Sequence, residues 1–366
     1  MVDADFIVIG GGIAGLSAAA ELSLEAQVIV LEMEAAPGYH ATGRSAAYFA
    51  PGYGNEVVRA VTGASEAFFH KPPEGFTEVP LIKERSRLYV ARPEQRQKLE
   101  AMRMEFGDLV LLNETELIRK VGILRGLSNG LFSESGGDID VDALMQGYLR
   151  KFRESSGLLE VQAQVLRVQR SGDRWQVVTK KGTRTATTVI NAAGAWADEI
   201  AKLAGLEPLG IEPKRRTALL VDAPADHDIR QWPIVVDIDE QFYFKPDAGQ
   251  LLISPADETP SAACDAQPEE LDVAIGVDRF MGVTSHEVAR VNHQWAGLRS
   301  FAPDKTFVLG HDPRTEGFFW LAGQGGYGVQ SSPGMSQLVA HALLGRSIDE
   351  KLKNQLVHMQ PNRLID

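Results

Sequence analysis

The feature that most constrains the fold is a group of glycines between two short apolar runs near the start of the chain. The first run, Phe6 to Ile9, is typical of a strand that is buried on both faces. Ile13 to Leu24 has the pattern of a helix, and Gln27 to Leu31 is a second apolar run that ends in Glu32. The glycines are Gly10, Gly12 and Gly15. This spacing predicts a strand–helix–strand unit with the fingerprint of a dinucleotide-binding site.

Each position of the fingerprint has a physical task. Gly10 permits a tight turn, Gly12 lets a diphosphate approach the backbone, and Gly15 lets the helix pack closely on the strand. The N-terminus of the helix offers unpaired N–H groups and a partial positive charge to the diphosphate. Glu32 can accept hydrogen bonds from an adenosine ribose. A glycine turn with a purely structural role would not need this carboxylate, so we expect a nucleotide here.

A second glycine cluster lies near the C-terminus, where GFFWLAGQGGYGVQSSPGMSQLVAHALLG has the pattern of a strand, a glycine loop and a helix. No acidic residue closes a following strand, so the cluster is not a second complete dinucleotide unit. We interpret it as the completion of the first nucleotide site, with a helix whose positive end points at the reactive part of the cofactor. The alternative is a helix-start turn that binds no ligand.

Composition excludes several other classes of site. The 366 residues are enough for roughly two domains. The net charge of −12 and the lack of a Lys/Arg run argue against a nucleic-acid partner. A single cysteine, Cys264, excludes an internal disulfide and a multi-cysteine zinc site. The eight histidines have no metal-ligand spacing, so we expect no metal.

The sequence also predicts where the protein is found. No stretch approaches the roughly eighteen apolar residues of a membrane span. The apolar start lacks the basic region of a signal peptide. We therefore expect no transmembrane segment and a cytoplasmic location, and peripheral attachment to a membrane stays open.

Between the two glycine clusters, strand and helix patterns alternate. LIKERSRLYVA has the pattern of one strand with charges on one face. SGGDIDVDALMQGYLRKFRESSG predicts a loop, an acidic helix start at Asp138 to Asp142 and a helix that stops at Gly157. The chain from Pro208 to Phe301 is rich in strand patterns, with turn signals such as KPDAG.

Several longer motifs resemble the D-amino-acid-oxidase-like family of FAD-dependent oxidoreductases. They are VIGGGIAGLSAA, LEMEAAPGYHATGRSAA, GGDIDVDALMQGYLRKFRESSG, VINAAGAWADEIAKLAG, EPKRR, WAGLRSF and LAGQGGYGVQSSPGM. The resemblance covers nearly the whole chain. Within the family, PGYHATGRSAA, YFKPDAG and AGLRSF are most similar to bacterial FAD-dependent D-amino acid dehydrogenases of the D-arginine dehydrogenase kind.

The resemblance implies an α/β fold with an α+β second domain. A Rossmann-like FAD-binding domain would be built from the non-contiguous segments 1–80, 136–207 and 296–366. A substrate domain with a mixed or antiparallel sheet would comprise 81–135 and 208–295.

The resemblance also implies FAD, bound without a covalent bond, and a set of cofactor contacts. Gly43 to Ala47 would be a loop of small residues that lets the chain pass close to the flavin. Val165 begins a strand pattern whose edge could meet the adenine. The expected contacts are Gly10, Gly12, Ala14, Gly15, Glu32, Met33, Ala41, Thr42, Gly43, Arg44, Ser45, Ala46, Ala47, Val165, Ala193, Gly194, Gly325, Gly326, Tyr327, Gly328, Val329 and Gln330.

Five residues match family positions that bind the substrate. Arg299 and Arg216 are the candidates to hold a carboxylate, since the planar fork of arginine meets a carboxylate through two hydrogen bonds. Tyr53 and Tyr243 match positions that line the pocket, and the carbonyl of Gly326 matches one that accepts a hydrogen bond from the amine.

Two residues depart from the D-arginine dehydrogenase pattern. Tyr48 stands where that pattern has a histidine, and Arg87 stands where it has a glutamate that can pair with a guanidinium. An arginine repels a cationic side chain, so we expect D-arginine and D-lysine to be poorer substrates than neutral or acidic amino acids. Alternatively, Arg87 pairs with Glu84 or points into solvent.

The resulting functional hypothesis is an FAD-dependent dehydrogenase or oxidase of an α-amino acid, with the D-enantiomer favoured. Hydride would pass from the α-carbon to flavin N5, and the imino acid would hydrolyse to a 2-oxo acid and ammonia. A quinone or oxygen would accept the electrons. The alternatives are oxidation of a secondary amine, such as sarcosine or a cyclic imino acid, or of a 2-hydroxy acid, and a non-catalytic flavoprotein or partner subunit.

Overall fold

The computed structural model describes residues 2–107 and 109–365. The strands are β1 (Val2–Ile9), β2 (Val28–Leu31), β3 (Tyr48–Phe49), β4 (Ile82–Glu84), β5 (Arg87–Ala91), β6 (Val110–Asn113), β7 (Asn129–Ser133), β8 (Gly137–Ile139), β9 (Leu158–Glu160), β10 (Val165–Ser171), β11 (Arg174–Thr179), β12 (Gly182–Asn191), β13 (Glu212–Val221), β14 (Ile234–Asp237), β15 (Tyr243–Asp247), β16 (Gln250–Ser254), β17 (Thr259–Pro260), β18 (Val291–Phe301), β19 (Val308–His311) and β20 (Phe318–Ala322). The α-helices are α1 (Ile13–Leu22), α2 (Glu56–His70), α3 (Arg96–Glu105), α4 (Glu114–Lys120), α5 (Val141–Glu154), α6 (Ala197–Leu203), α7 (Glu270–Val283), α8 (Gly328–Leu344) and α9 (Glu350–Lys353).

An eight-stranded sheet contains the predicted strand–helix–strand unit, which is confirmed. Its order is β10-β11-β12-β1-β2-β9, with β20 beside β12 and β19 beside β20. β1 runs parallel to both β2 and β12, and β20 is also parallel to β12. α1 and α8 lie in one apolar core on one face of this sheet. The open ends of the parallel strands therefore meet the N-termini of these two helices.

The close approach of α1 to the sheet depends on two glycines. Gly10 has φ +110°, a conformation that residues with side chains rarely adopt, and a Cβ there would lie 2.4 Å from the carbonyl oxygen of Ala192. A Cβ on Gly15 would lie 2.0 Å from the carbonyl oxygen of Gly10. The turn and the packing tasks predicted for these glycines are thus both required by the backbone geometry.

A nine-stranded sheet forms the second half of the protein. Its order is β17-β13-β16-β15-β14-β5-β7-β6, with β18 beside β13. One face is buried in an apolar core that includes Leu88, Leu219, Val235, Phe244 and Ile253. β18 crosses the predicted domain boundary between residues 295 and 296. The boundaries of the two domains remain a prediction.

In the middle of the chain one expectation was wrong and one helix was missed. LIKERSRLYVA forms two strands, β4 and β5, which belong to different sheets. The strand-rich region 208–301 also contains a helix, α7, that the strand patterns concealed. α7 packs on β13 and β16 at Gly276, where a Cβ would lie 3.1 Å from Leu219 and from Pro255.

Asp138 lies on a strand and not at a helix start, which corrects our expectation. The small sheet β3-β8-β4 pairs Asp138 with Tyr48. The helix begins later, at Val141, and Asp140 caps it by accepting a hydrogen bond from the N–H of Ala143. A strand position is favoured at Asp138 because its side chain there contacts two buried cations.

These cations are Arg85 and Lys245, whose side chains are 7% and 4% exposed. Arg85 Nε lies 2.6 Å and Lys245 Nζ 2.8 Å from the two carboxylate oxygens of Asp138. Arg85 also donates to the carbonyl of Trp232 at 2.6 Å. Since Lys245 is on β15, this ion cluster joins the small sheet to the nine-stranded sheet.

Replacement of Asp138 by alanine leaves both cations without this carboxylate. We expect Asp138→Ala to lower the free energy of unfolding by about 3–5 kcal/mol, because an uncompensated buried charge is costly. Urea denaturation measures the change. Glu84→Ala, at an exposed carboxylate on β4, is the control and should change the value by less than about 0.5 kcal/mol. Equal losses in the two variants would contradict the expectation.

Candidate active site

Two cavities lie between the sheets and share part of their walls. The large cavity has a volume of about 330 Å³ and the small cavity about 120 Å³. Both are lined by Ser45, Ala46, Arg216, Tyr243, Arg299, Gly326 and Val329. A ligand that fills the large cavity therefore reaches the small one at these residues.

The walls contributed by the nine-stranded sheet follow from its register. Arg87 lies opposite Ile234 on β14. Tyr243 lies opposite Val236, two residues further along the same strand. Because residues two apart on a strand share a face, Arg87 and Tyr243 point the same way. This is the face opposite the apolar core, and we call it the inner face.

Arg216 and Arg299 also belong to the inner face. Arg216 lies opposite Gly297, and Arg299 follows Gly297 by two residues on β18. Alternation along the strands thus places polar side chains towards the cavities and apolar ones in the core behind. The sequence shows this alternation but not which face meets the other sheet.

Arg299 is the best-placed side chain to bind an anion. Its Nη1 donates to the hydroxyl of Tyr53 at 3.4 Å, a neutral partner, and among the described residues it has no ion pair. Burial opposes its charge, but the hydroxyls of Tyr53 and Tyr243 hold its pKa above the ordinary value. A Cβ at Gly326 would lie 2.9 Å from Nη1, so a side chain there would displace this guanidinium from its position.

Arg216 lies nearby and is already partly engaged. Its Nε donates to the carbonyl of Asp257 at 2.8 Å, and its Nη2 lies 3.2 Å from a carboxylate oxygen of Glu258. Burial, and then the like charge of Arg299, lower the pKa of Arg216. The two arginines therefore face a common space, and Glu258 is the one carboxylate within residues 2–107 and 109–365 that forms an ion pair with either of them.

The predicted tyrosines contact the same space. Tyr243 lines both cavities, and Tyr53 lines the small one. The ring of Tyr53 packs edge-on against that of Tyr327 at 4.9 Å between centroids. Tyr327 itself lines neither cavity; it is the N-cap residue that precedes α8, and burial raises its pKa above the usual range.

Tyr48 and Arg87, the two departures from the family pattern, both line the small cavity. The hydroxyl of Tyr48 donates to the carbonyl of Arg85 at 2.7 Å, and burial raises the pKa of Tyr48 above its usual range. Arg87 is 5% exposed and forms no ion pair with Glu84. It therefore neither pairs with Glu84 nor points into solvent, which removes both alternatives for this side chain.

The other end of the large cavity contains the glycine fingerprint and Glu32. The carboxylate of Glu32 is buried and accepts hydrogen bonds from the N–H groups of Gly11 and Glu34, each at 2.8 Å. Each carboxylate oxygen keeps a second lone pair for a hydroxyl donor. The hydroxyl of Thr42 accepts a hydrogen bond from the N–H of Ile13 at 3.0 Å and so fixes the loop against the start of α1.

Most of the predicted cofactor contacts line the large cavity. They are Gly10, Gly12, Ala14, Glu32, Met33, Ala41, Thr42, Arg44, Ser45, Ala46, Val165, Ala193, Gly194, Gly325, Gly326, Gly328 and Val329. Ala47 and Gln330 line the small cavity. Gly15 and Gly43 line neither cavity, because Gly15 is packed between α1 and the sheet and Gly43 closes a tight turn with its N–H 2.7 Å from the carbonyl of Gly38.

Arg44 fixes the small-residue loop to the second half of the protein. Its Nη1 donates to the carbonyls of Ala266 at 2.8 Å and Ala296 at 3.1 Å, and its Nη2 pairs with Asp265. The loop therefore forms a wall between the two halves and not a flexible cover.

Sequence reasoning missed several lining residues. Tyr89 and Glu240 line the small cavity, and Trp196 and Gln324 line the large one. Trp196 and Gln324 belong to the motifs NAAGAW and AGQGGYG, which could have indicated them. Nothing in the local sequence indicates that Tyr89 and Glu240 line a cavity, since this depends on which face of the nine-stranded sheet is covered by the other sheet.

Comparison with known proteins agrees with this architecture. The model of the DAO family, described as FAD dependent oxidoreductase, matches residues 5–342. The chain belongs to this family. Human mitochondrial dimethylglycine dehydrogenase is 27% identical over 268 residues, which is 69% of this chain and 30% of that protein. The chain spans less than two thirds of the length of this and three other curated relatives that it matches.

Two solved structures illustrate the shared fold. Glycine oxidase from Geobacillus kaustophilus superposes with a TM-score of 0.83 at 21% identity, over 95% of this chain and 96% of that chain. L-Proline dehydrogenase from P. horikoshii superposes with a TM-score of 0.84 at 21% identity, over 99% and 98%. The α/β fold with a Rossmann-like FAD-binding part and a substrate part is thereby confirmed. Of the helices in residues 2–107 and 109–365, none is long and apolar enough to span a bilayer.

FAD is the cofactor of this family, and the large cavity fits it. The start of α1 would provide the diphosphate cradle, and Glu32 would accept the hydrogen bonds of the ribose. Two buried polar atoms, Nε2 of Gln324 and Nδ1 of His40, have no hydrogen-bond partner among the described residues, and both side chains line this cavity. A buried group without a partner is costly unless a ligand satisfies it.

Removal of the charge at Glu32 tests the ribose contact. We expect Glu32→Gln to weaken FAD binding at least about tenfold, because hydrogen bonds to charged groups are worth about 1.5–3 kcal/mol each. Quenching of flavin fluorescence during titration of the apoprotein gives the dissociation constant. Glu66→Gln, at an exposed position on α2, is the control, and an equal affinity in both variants would rule out the assigned contact.

FAD is expected to be held without a covalent bond. SFAPDKTFVLG, where some family members have a cysteine that attaches the flavin, has none. Some demethylating members of the family attach the flavin to a histidine in a loop similar to GYHATG, and here the Nε2 of His40 lies 2.9 Å from the carboxylate of Glu34. Acid precipitation should release all yellow colour into the supernatant. Colour that stays with the pellet would show that the expectation is wrong.

Proposed function

We propose that the protein oxidises an α-amino acid, with the D-enantiomer preferred, by means of FAD. The main support for this proposal is the state of Arg299. This buried cation lies at the junction of the two cavities and has a neutral hydrogen-bond partner. An amino-acid carboxylate would compensate its charge. The preference for the D-enantiomer rests on the resemblance of PGYHATGRSAA, YFKPDAG and AGLRSF to D-amino acid dehydrogenases.

Bound FAD supplies the redox chemistry by accepting a hydride from the substrate. The protein orients the reacting atoms. Arg299 holds the carboxylate, with Arg216 as a second positive charge beside it. The carbonyl of Gly326 accepts a hydrogen bond from the amine, which fixes the α-carbon between carboxylate and amine at the wall shared by the cavities.

The amine must be neutral when the hydride leaves. Tyr48 and Tyr327 keep their protons because burial raises the pKa of both hydroxyls. Neither therefore acts as a base near neutral pH. The ammonium proton passes to water or through the hydroxyl of Tyr53, and water then hydrolyses the imino acid to the 2-oxo acid and ammonia.

A second candidate is the oxidation of an N-alkylated amino acid. The similarity to human dimethylglycine dehydrogenase, at 27% identity over 268 residues, favours it. The same carboxylate anchor would serve such a substrate, and the two candidates differ only in the group on nitrogen.

Both candidates use the same division of the chain. We propose that segments 1–80, 136–207 and 296–366 bind FAD, and that 81–135 and 208–295 enclose the substrate.

An anaerobic screen distinguishes the candidates. D- and L-amino acids, sarcosine, dimethylglycine and 2-hydroxy acids are each added to the FAD-loaded protein, and bleaching of the flavin absorbance is recorded. We expect bleaching by a primary D-amino acid. If only N-alkylated substrates bleach the flavin, the second candidate is correct. If only 2-hydroxy acids do, that alternative is favoured, and if no compound does, the result favours a non-catalytic flavoprotein or partner subunit.

Replacement of Arg299 tests the carboxylate anchor. We expect Arg299→Met to lower kcat/KM for an amino acid at least about tenfold, since each lost charge-assisted hydrogen bond is worth about 1.5–3 kcal/mol. Turnover of the corresponding decarboxylated amine should change little. Arg290→Met removes the same charge from an exposed site just before β18 and serves as the control. If amino-acid turnover is unchanged in Arg299→Met, Arg299 does not hold the carboxylate and Arg216 becomes the candidate for this role.

A further inference from the structure

Arg87 is a buried cation whose charge no described residue neutralises. Its side chain is 5% exposed, and its Nε and Nη1 have no hydrogen-bond partner among the described residues. The guanidinium lies 5.4 Å from the centre of the ring of Tyr89, a contact that orients it but leaves these N–H groups unsatisfied. A buried unpaired charge destabilises a protein, so its presence indicates a ligand.

The carboxylates around Arg87 are engaged or exposed. Asp138 already pairs with both Arg85 and Lys245, so its charge is shared between two other cations. Glu84 and Glu240 are exposed, and neither forms an ion pair with Arg87. The inner wall of the small cavity is therefore positive at the Arg87 end.

Arg87 and the arginine pair Arg216 and Arg299 lie at opposite ends of the small cavity. Five strand spacings separate β18, which carries Arg299, from β5, which carries Arg87, and this corresponds to about 24 Å between their backbones at about 4.8 Å per spacing. All three side chains share the inner face and line this one cavity of about 120 Å³. A small molecule held by its carboxylate at Arg299 would thus direct its other end towards Arg87.

We propose that the substrate carries a second carboxylate, and that Arg87 binds it. This inference rests on the proposed function, because it takes the first carboxylate to be anchored at Arg299. The substrate class is then an amino dicarboxylate of the aspartate or glutamate type. A cationic side chain would be repelled, and a neutral one would leave Arg87 buried and unpaired.

Binding of non-oxidisable acids to the FAD-loaded protein tests this directly. Glutarate has two carboxylates and pentanoate, of the same chain length, has one; each is titrated while the flavin absorbance is followed. In the wild type we expect glutarate to bind at least about tenfold more tightly than pentanoate, a difference of about 1.4 kcal/mol. Arg87→Met should abolish this difference by weakening glutarate alone.

Turnover provides a second readout. We expect the kcat/KM ratio of D-glutamate to D-glutamine, which differ mainly in charge, to fall at least about tenfold in Arg87→Met, and D-arginine to be poor in the wild type. Lys83→Met removes the same charge from an exposed position on β4. It should leave unchanged both the preference for glutarate over pentanoate and the kcat/KM ratio of D-glutamate to D-glutamine. If Arg87→Met does not accumulate in folded form, Arg87→Gln decides, with the same expectation.

The outcomes separate this inference from the proposed function. Equal binding of glutarate and pentanoate, or an unchanged glutarate preference in Arg87→Met, overturns the second-carboxylate site even if amino acids bleach the flavin. An Arg87-dependent preference for glutarate supports the site even if no amino acid bleaches the flavin, and in that case the proposed oxidation is wrong.

Discussion

The contact between Arg299 and the backbone at Gly326 is where the two halves of the molecule meet. Arg299 lies on β18 of the nine-stranded sheet, and Gly326 lies in the loop between β20 and α8 of the eight-stranded sheet. A Cβ on this glycine would lie 2.9 Å from the guanidinium, so the absence of a side chain here lets the guanidinium lie directly against the loop of the other sheet. The junction of the cavities depends on this approach.

The glycine fingerprint solves the same physical problem at the other end of the large cavity. Gly10 and Gly15 bring α1 against the ends of β1 and β12, so that the first turn of the helix lines the large cavity. In both places a bare backbone creates space that a ligand can occupy. A turn that leaves the backbone bare can be recognised from a few neighbouring residues, because its glycines directly follow an apolar strand. The strand–helix–strand unit and the C-terminal strand–loop–helix were accordingly predictable.

The inner face of the second sheet was less predictable. Alternation in KERSRLYV indicates that Arg85, Arg87 and Tyr89 share a face, but not whether that face meets solvent or another sheet. Long-range ion pairs decide this, because Asp138, on a strand whose sequence resembles a helix start, draws Arg85 and Lys245 inward. The helix α7 was missed for a related reason, since its glycines and mixed composition gain meaning only from packing on β13.

The charge distribution connects the fold to the ligand. The chain has a net charge of −12, yet Arg87, Arg216 and Arg299 all face one small cavity. A net negative protein does not attract anions from a distance, and screening at physiological salt limits such steering to about 8 Å. Selection of the proposed anionic substrate would therefore occur inside the cavity, where low polarity strengthens each charge. The negative net charge of the chain and the positive charge of the small cavity are compatible because they act over different distances. The inner face of the nine-stranded sheet gathers the positive side chains inside the protein.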